Sequence, residues 1–325
     1  MENLNPKTLS DRALNALRRG REPKKVIYGY ALLVLIINVV VIGSDYLMDY
    51  MIASTGGLSN MGNRAILSTI QQAVPSIASY LGMCLELGFL GAMMRLCRGQ
   101  YADHTDMKVG LRLFWPLLRM TILMSMLFFL VLFLVCQVVS MFYGLTPRGM
   151  QMAELLYPYL LSGESLDEAT LTAAWSLMVP MLVIVLVVGI AALIPLIFRF
   201  RMANYCLLDY PREGARAALR RSNRMMKGKF LPMLKLDLSL WLYHVSMVLV
   251  SVILYLDVLL PALGVQLPLD AKLLGLIVYV LSTAWQFFVQ LKLRPRAEGA
   301  YLMAYEALRE KKEEDGVVLG NIFQM

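Results

Sequence analysis

Six apolar runs, each long enough to cross a membrane as a helix, constrain this sequence more than any other feature. A spanning helix needs about 20 apolar residues for a hydrocarbon core of about 30 Å. Every backbone polar group inside such a core must be bonded internally, which favours helices. The predicted spans are residues 26–47, 70–94, 120–143, 173–198, 230–260 and 273–293. The sequence therefore predicts an all-α polytopic membrane protein with six transmembrane helices.

The composition agrees with a chain whose solvent is lipid. The residues are 58% hydrophobic and 17% charged, whereas a soluble domain averages about half and a quarter. We predict three regions along the chain. Residues 1–25 form a cytoplasmic amphipathic helix, residues 26–308 form the six-span membrane domain, and residues 309–325 form a charged cytoplasmic tail.

Basic residues are concentrated on one side of the predicted spans. If residues 1–25 are cytoplasmic, 27 of the 31 Lys and Arg residues fall in cytoplasmic segments, and only Arg64, Arg148 and Lys272 fall opposite. This asymmetry is typical of the positive-inside rule. We expect a multi-pass protein of a bacterial cytoplasmic membrane with both termini in the cytoplasm. The net charge of +8 is then explained by anionic headgroups, and we expect no nucleic-acid partner.

A basic amphipathic segment precedes the fifth predicted span. Its apolar stripe consists of Ala215, Ala218, Leu219, Ser222 and Met226. Its opposite face carries Arg216, Arg220, Arg224 and Lys227. Such a helix is expected in the inner interface, with its arginines facing headgroups or a membrane protein partner. A solvated basic face that only fixes the topology is the alternative interpretation.

Similar segments precede the first and third predicted spans. PKTLSDRALNALRRG begins at Pro6, and a shorter basic and apolar stretch covers residues 107–119. Each would introduce one hairpin of two spans, so the pattern is compatible with three helix-hairpin repeats, which also occur in transporters. Shared helix composition explains the same pattern without a repeat. The outer loop, residues 144–172, is expected to hold a short interfacial helix.

The segment around the amphipathic helix carries a recognisable pattern. Its positions are Tyr205, Asp209, Pro211, Ala215, Ala218, Leu219, Ser222, Met226, Lys227, Gly228, Leu236, Asp237, Leu238 and Ser239. In these residues the segment resembles the bacterial membrane family called domain-of-unknown-function 975. Residues 300–308 resemble the tyrosine-rich helix at the end of that family. Residues 240–244 depart from the family's aromatic-glycine-tryptophan turn.

The resemblance implies a multi-spanning bacterial membrane protein and carries over no catalytic residues. The family is similar to membrane domains attached to some glycerophosphodiester phosphodiesterases. Within the pattern, Asp209 stands just before Pro211. A carboxylate there can accept the free amide hydrogens of a helix start, so Asp209 is predicted to cap the amphipathic helix.

Several polar residues fall inside the predicted spans. Glu86 and His244 each lie nine residues from a basic residue at the inner membrane face, Arg95 and Lys235, which places both about 14 Å deep. They are expected at comparable depth, where they could form a protonatable pair. The alternative is separate partners in the packed core. The intramembrane glutamines are expected to bond across helices: Gln137, Gln286 and Gln290.

No recognisable constellation for catalysis appears in the sequence. There is no HExxH, no phosphate-binding loop, and the only histidines are His104 and His244. The four cysteines lack the spacing of a zinc site. We therefore predict no enzyme activity, no metal and no cofactor.

Two functional hypotheses remain open at this stage. The first is a lipid- or partner-binding membrane scaffold or accessory subunit that uses its basic inner surface. The alternative is a transporter of a lipid-like or amphipathic small molecule, proton-coupled through Glu86 and His244. Transport requires a polar cavity between spans, whereas a scaffold is expected to bury these residues in tight packing.

Overall fold

The computed structural model describes residues 5–19, 23–54, 61–162, 167–256, 260 and 271–322. Within these ranges every regular element is helical, as the sequence predicts. The α-helices are α1 (Pro6–Arg19), α2 (Pro23–Ser54), α3 (Met61–Cys97), α4 (Lys108–Arg112), α5 (Phe114–Gly144), α6 (Pro147–Ser162), α7 (Glu168–Phe200), α8 (Ala203–Asp209), α9 (Gly214–Met226), α10 (Phe230–Ser239), α11 (Trp241–Leu254), α12 (Ala271–Lys292) and α13 (Arg294–Ile322). Short 3₁₀ turns, His104–Met107 and Pro211–Glu213, precede α4 and α9.

Five helical stretches in these ranges are long and apolar enough to cross a membrane. They are Pro23–Ser44, Gln72–Cys97, Phe114–Gly144, Glu168–Asp209 and Leu273–Lys292. They correspond to the predicted spans one to four and six. The helix expected in the outer loop is present as α6. Helix α13 runs on to Ile322 and covers most of the predicted tail.

The predicted fifth span, residues 230–260, corresponds to two helices, α10 and α11, joined by a bend. Helices α10 and α11 meet at an angle of 70°, and only as a bent pair are they long enough to cross. The bend lies at Leu240, whose amide donates to the carbonyls of Leu236 and Asp237. The Ser239 hydroxyl also donates to the Leu236 carbonyl at 2.7 Å. No Gly or Pro stands at the bend, so the sequence contains no local signal for it.

The long helices pack as three hairpins. Helix α2 lies against α3, α5 against α7, and α11 against α12, while α12 also packs on α2. Gly189 permits close packing in the second hairpin, because an added Cβ would lie 3.0 Å from a Leu132 methyl carbon. The predicted hairpins are therefore present as packed pairs. A sequence repeat underlying them stays a prediction.

The apolar faces of the two amphipathic helices, α1 and α9, pack against other helices of the protein. Helix α1 lies along α13 and buries Leu9, Ala13 and Leu17. Helix α9 packs against α5, α7 and α8. Its stripe is buried at Ala215, Ala218, Ser222 and Met226, with Leu219 half-buried. The stripe was correctly predicted, but it contacts protein and not lipid.

The buried core lies at one end of the bundle. It is built largely from α1, α3, α8, α9 and α13. The apolar side chains along α5 and α7 are mostly exposed; Phe129 is 70% and Leu186 61% exposed. An exposed apolar surface of this extent is unusual in a soluble monomer, and it suits helices surrounded by lipid.

Candidate functional site

A stripe of polar side chains runs along one face of α13 and enters the core. The residues recur at helical spacing: Arg294, Glu298, Tyr301, Tyr305 and Arg309. Small residues beside the stripe are fully buried, namely Ala297, Ala300 and Ala304. Because these alanines let neighbouring helices approach, polar side chains from other elements reach the stripe.

Arg294 is the centre of the first cluster. Its guanidinium donates to the Tyr30 hydroxyl at 2.6 Å, the Gln290 amide oxygen at 3.1 Å and the Glu86 carboxylate at 2.7 Å. The guanidinium carbon lies 4.9 Å from the ring centroid of Tyr30 and 5.6 Å from that of Phe89. One buried cation thus joins α2, α3, α12 and α13.

Glu298 lies one turn further along α13 and is 9% exposed. One carboxylate oxygen is 3.6 Å from Nε of Arg294. The other accepts a hydrogen bond from the Tyr205 hydroxyl at 2.9 Å. Burial raises the pKa of the Glu298 carboxyl, and the nearby Arg294 charge opposes that rise. Arg294 therefore serves two carboxylates, of which Glu86 is the closer.

A second cluster forms around Asp237 at the end of α10. Its carboxylate accepts from the Tyr301 hydroxyl at 2.8 Å and forms a short ion pair with Arg201. The Arg201 guanidinium also stacks on the Tyr301 ring, 4.3 Å from its centroid. Nε2 of His244 lies 3.0 Å from the Tyr301 hydroxyl oxygen. These contacts fix the end of α10 at the bend.

A third cluster surrounds Asp209 at the end of α8. Its carboxylate forms ion pairs with Arg98 at 2.8 Å and Arg309 at 3.1 Å. It also accepts from the Tyr305 hydroxyl at 2.9 Å. Glu306 lies 2.7 Å from Arg98 and 3.3 Å from Arg309. The cluster ties α3 and α8 to α13.

The prediction that Asp209 caps the amphipathic helix is wrong. Glu213 occupies the N-cap of α9, and no side chain caps that end. Asp209 lies before the 3₁₀ turn and directs its carboxylate to Arg98, Tyr305 and Arg309. Two guanidinium groups and a hydroxyl from other parts of the chain thus satisfy this carboxylate, and bonds between an ionised donor and a carboxylate are among the strong ones in proteins.

The structure does not join Glu86 to His244. Glu86 bonds to Arg294 and His244 to Tyr301, and no hydrogen bond in the described parts of the chain connects the pair. Arg294 lies just beyond the last candidate span, and Tyr30 lies near the start of α2. Glu86 is therefore grouped with residues at the basic end of the bundle. The separate-partner interpretation matches this arrangement.

The three glutamines have different environments. Gln286 accepts from the Asn38 amide at 3.0 Å, across α2 and α12. Gln290 is buried against Arg294. Both line a narrow cleft between α2 and α12. Gln137 instead lies on the exposed face of α5.

Helix α9 presents the four predicted basic residues on its exposed face. Arg216, Arg220, Arg224 and Lys227 are all exposed. Across the residues that the structure describes, none of the four has a hydrogen bond or ion pair. The buried side of the same helix is fixed, since the Ser222 hydroxyl donates to the Arg199 carbonyl at 2.9 Å. The result is a rigid helix with an unpaired cationic face.

One protein family accounts for most of the chain. A family model described as protein of unknown function (DUF975) matches residues 19–312. The chain belongs to this family. The resemblance in residues 199–240 is thus confirmed and extends over most of the chain. No curated protein matched the chain, and no solved structure matched it.

Three of the fourteen pattern positions in this domain-of-unknown-function 975 protein lie in the charged clusters. Tyr205, Asp209 and Asp237 each bond to a residue of α13. Sequence reasoning noted the tyrosine-rich helix but missed Arg294 and Glu298 as site residues. The available signal was the helical spacing of charged residues and tyrosines along α13.

Proposed function

We propose that this protein is a non-catalytic scaffold of the cytoplasmic membrane that binds anionic lipid headgroups through the basic face of α9. The observation that carries the proposal is the unpaired, exposed row Arg216, Arg220, Arg224 and Lys227 on a helix whose other face is buried. The distribution of basic residues supports a cytoplasmic location for both termini.

The spacing of the row suits a surface of headgroups. Arg216, Arg220 and Arg224 are each four residues apart, which is about 6 Å along a helix axis. The row is preorganised, because α9 is packed against the ends of α5 and α7. Each basic residue near an anionic membrane surface contributes about 1 kcal/mol. Trp115, 66% exposed at the start of α5, is the kind of residue that anchors helices at an interface.

The interior of the bundle supports binding in preference to transport. Glu86, Asp237 and Asp209 are all paired with arginines. The cleft lined by Gln286 and Gln290 is narrow. Proton-coupled transport needs a protonatable group that can change partners. Asp209 and Asp237 are each held by several contacts, and Glu86 is held by its ion pair with Arg294.

The experiment compares lipid selectivity of the wild type with that of a triple variant, Arg220→Gln, Arg224→Gln and Lys227→Gln. Purified, delipidated protein is titrated with phosphatidylglycerol or phosphatidylcholine in detergent, and bound lipids are counted by native mass spectrometry. We expect the wild type to prefer the anionic lipid about tenfold, equivalent to about 1.4 kcal/mol, and the variant to lose most of that preference.

The matched control removes three exposed cations elsewhere: Lys7→Gln, Arg12→Gln and Arg112→Gln. The proposal requires this control to keep the wild-type lipid preference, because only the α9 row is altered in the test variant. Equal preference in all three proteins would contradict lipid binding by α9. Loss of a co-purifying protein, with lipid selectivity unchanged, would contradict it in favour of a protein partner.

A further inference from the structure

A pocket lies between the first turn of α9 and the N-terminal part of α5. Its volume is about 510 Å³, and its lining includes Arg119, Ile122, Leu123, Glu213 and Arg216. This volume is within the range of ordinary small-molecule sites, about 300–1,000 Å³. The pocket therefore offers room for a headgroup, and it is formed by two helices that are far apart in sequence.

The charge in the pocket is uncompensated. Glu213, its acidic residue, is already neutralised, since both of its carboxylate oxygens accept from Arg221 at 2.7 and 2.9 Å. Arg221 is itself stacked on the Tyr210 ring, 3.6 Å from its centroid. Arg119 and Arg216 have no hydrogen bond or ion pair within the described ranges. Two arginines are thus left available to one ligand.

The remaining wall of the pocket is apolar and continues away from the arginines. Ile122 is 47% exposed, and Met126 and Phe129, one and two turns further along α5, are 65% and 70% exposed. Residues three and four apart share a helix face, so this surface forms one track starting at Arg119. A soluble anion would make no favourable contact with this apolar surface, whereas an acyl chain would pack along it.

We infer that this pocket binds one anionic phospholipid, with its phosphate between Arg119 and Arg216 and an acyl chain along α5. Arginine is suited to the phosphate because its planar fork donates two parallel hydrogen bonds. The inference rests on the proposed function and deepens it, because it assigns a single stoichiometric lipid to a site that includes Arg119. The outer row of α9, formed by Arg220, Arg224 and Lys227, holds further anionic lipids with lower affinity than the pocket.

The test uses native mass spectrometry on delipidated full-length protein titrated with phosphatidylglycerol. Three proteins are compared: wild type, Arg119→Gln with Arg216→Gln, and Arg220→Gln with Arg224→Gln and Lys227→Gln. We expect one lipid to bind the wild type before all others. The pocket variant is expected to weaken this first event about tenfold or more, as loss of charged hydrogen bonds implies. The outer-row variant is expected to retain it and to lose later events.

Two further measurements separate lipid from free phosphate and binding from folding. Inorganic phosphate, added in excess, is expected not to displace the first lipid. Ile122→Ser leaves the net charge of the protein unchanged, and it is expected to lower the affinity for that lipid. Arg119→Lys is expected to retain part of the affinity. Thermal unfolding of the pocket variant is expected to match the wild type, because neither arginine bonds to a described residue of the protein.

The possible outcomes distinguish an error in the pocket proposal from an error in the proposed function. If the pocket variant binds the first lipid with wild-type affinity, the pocket proposal is wrong, and the proposal for the outer row is unaffected. Full displacement by inorganic phosphate overturns the lipid assignment. If neither variant changes any binding event, both the pocket and the proposed function are wrong. If only the outer-row variant loses the first event, the row and not the pocket holds that lipid.

Discussion

Arg294 is the buried residue whose loss is expected to destabilise the protein most, because one charge serves two carboxylates. Glu86 lies 2.7 Å and Glu298 3.6 Å from its guanidinium nitrogens. Arg294→Gln leaves both carboxylates without a cation. Breaking a buried ion pair costs about 3–5 kcal/mol, and the lower end of that range applies because Glu298 is buried whereas the Glu86 side chain is 46% exposed. We expect a decrease of this order in the free energy of unfolding, measured by denaturant titration in detergent micelles.

Arg296→Gln is the matched control for this substitution. Arg296 is on the same helix and carries the same charge, but it is exposed. Its substitution is expected to change stability by no more than about 0.5 kcal/mol. Combining Arg294→Gln with Glu298→Gln is expected to recover part of the loss, because one unpaired carboxylate is then removed. Equal stability of the two single variants would show that Arg294 does not hold the cluster together.

The sequence alone identifies unusual single residues of the site, but it does not identify the residues with which they form contacts. Glu86 stood out because a carboxylate within an apolar run is rare. Its partner, Arg294, is 208 residues away in sequence and was counted only as a basic residue after the last span. Position along one helix gives depth and not direction around the axis, so pairs between helices cannot be read from spacing alone.

Helix α4 and the 3₁₀ turn before it lie close to the backbone of α3, and two glycines permit this approach. An added Cβ on Gly88 would lie 2.1 Å from the Met107 carbonyl oxygen, and one on Gly110 would lie 1.7 Å from that of Cys84. Gly88→Ala is therefore expected to separate these elements and to cost about 3 kcal/mol, the upper range of overpacking. The measurement is the midpoint of denaturant unfolding in micelles.

Gly82→Ala provides the control in the same helix. A Cβ at Gly82 meets nothing within 4 Å, and Ala has the higher helix propensity by about 1 kcal/mol. This substitution is expected to be neutral or slightly stabilising. If Gly88→Ala behaved in the same way, α4 would not lie against α3 as described.

Elements were predictable where the signal is local. The stripe of α9 follows from periodicity within one helix, and its burial agrees with that prediction. The surface that covers the stripe is set by α7 and α8, which periodicity does not identify. The bend at Leu240 likewise lies beside contacts from distant parts of the sequence, because Asp237 is held by Arg201 and Tyr301. Such tertiary contacts override an uninterrupted apolar run.

At the scale of the whole molecule, the contact between the two ends of the chain limits the number of membrane crossings. Helix α1 precedes the first candidate span, α13 follows the last, and the two pack together. An added Cβ on Gly299 would lie 3.1 Å from that of Ala13. This packing predicts that both helices lie on the same side of a membrane, which requires an even number of crossings. Five candidate spans satisfy this only if the bent pair of α10 and α11 also crosses.

The final prediction is that the bent pair counts as a complete crossing and that α1 and α13 share the cytoplasm. Single cysteines replace the exposed residues Asn15, Leu273 and Arg296 in a background whose four native cysteines are alanine. A membrane-impermeant maleimide applied to intact spheroplasts is expected to label Leu273→Cys, at the start of α12. Asn15→Cys and Arg296→Cys are expected to react only after permeabilisation.

Labelling of Arg296→Cys but not of Asn15→Cys from outside would place the ends on opposite sides, and the packing of α1 on α13 could not then form in the membrane. Protection of Leu273→Cys would instead show that α10 and α11 return to the side from which they entered.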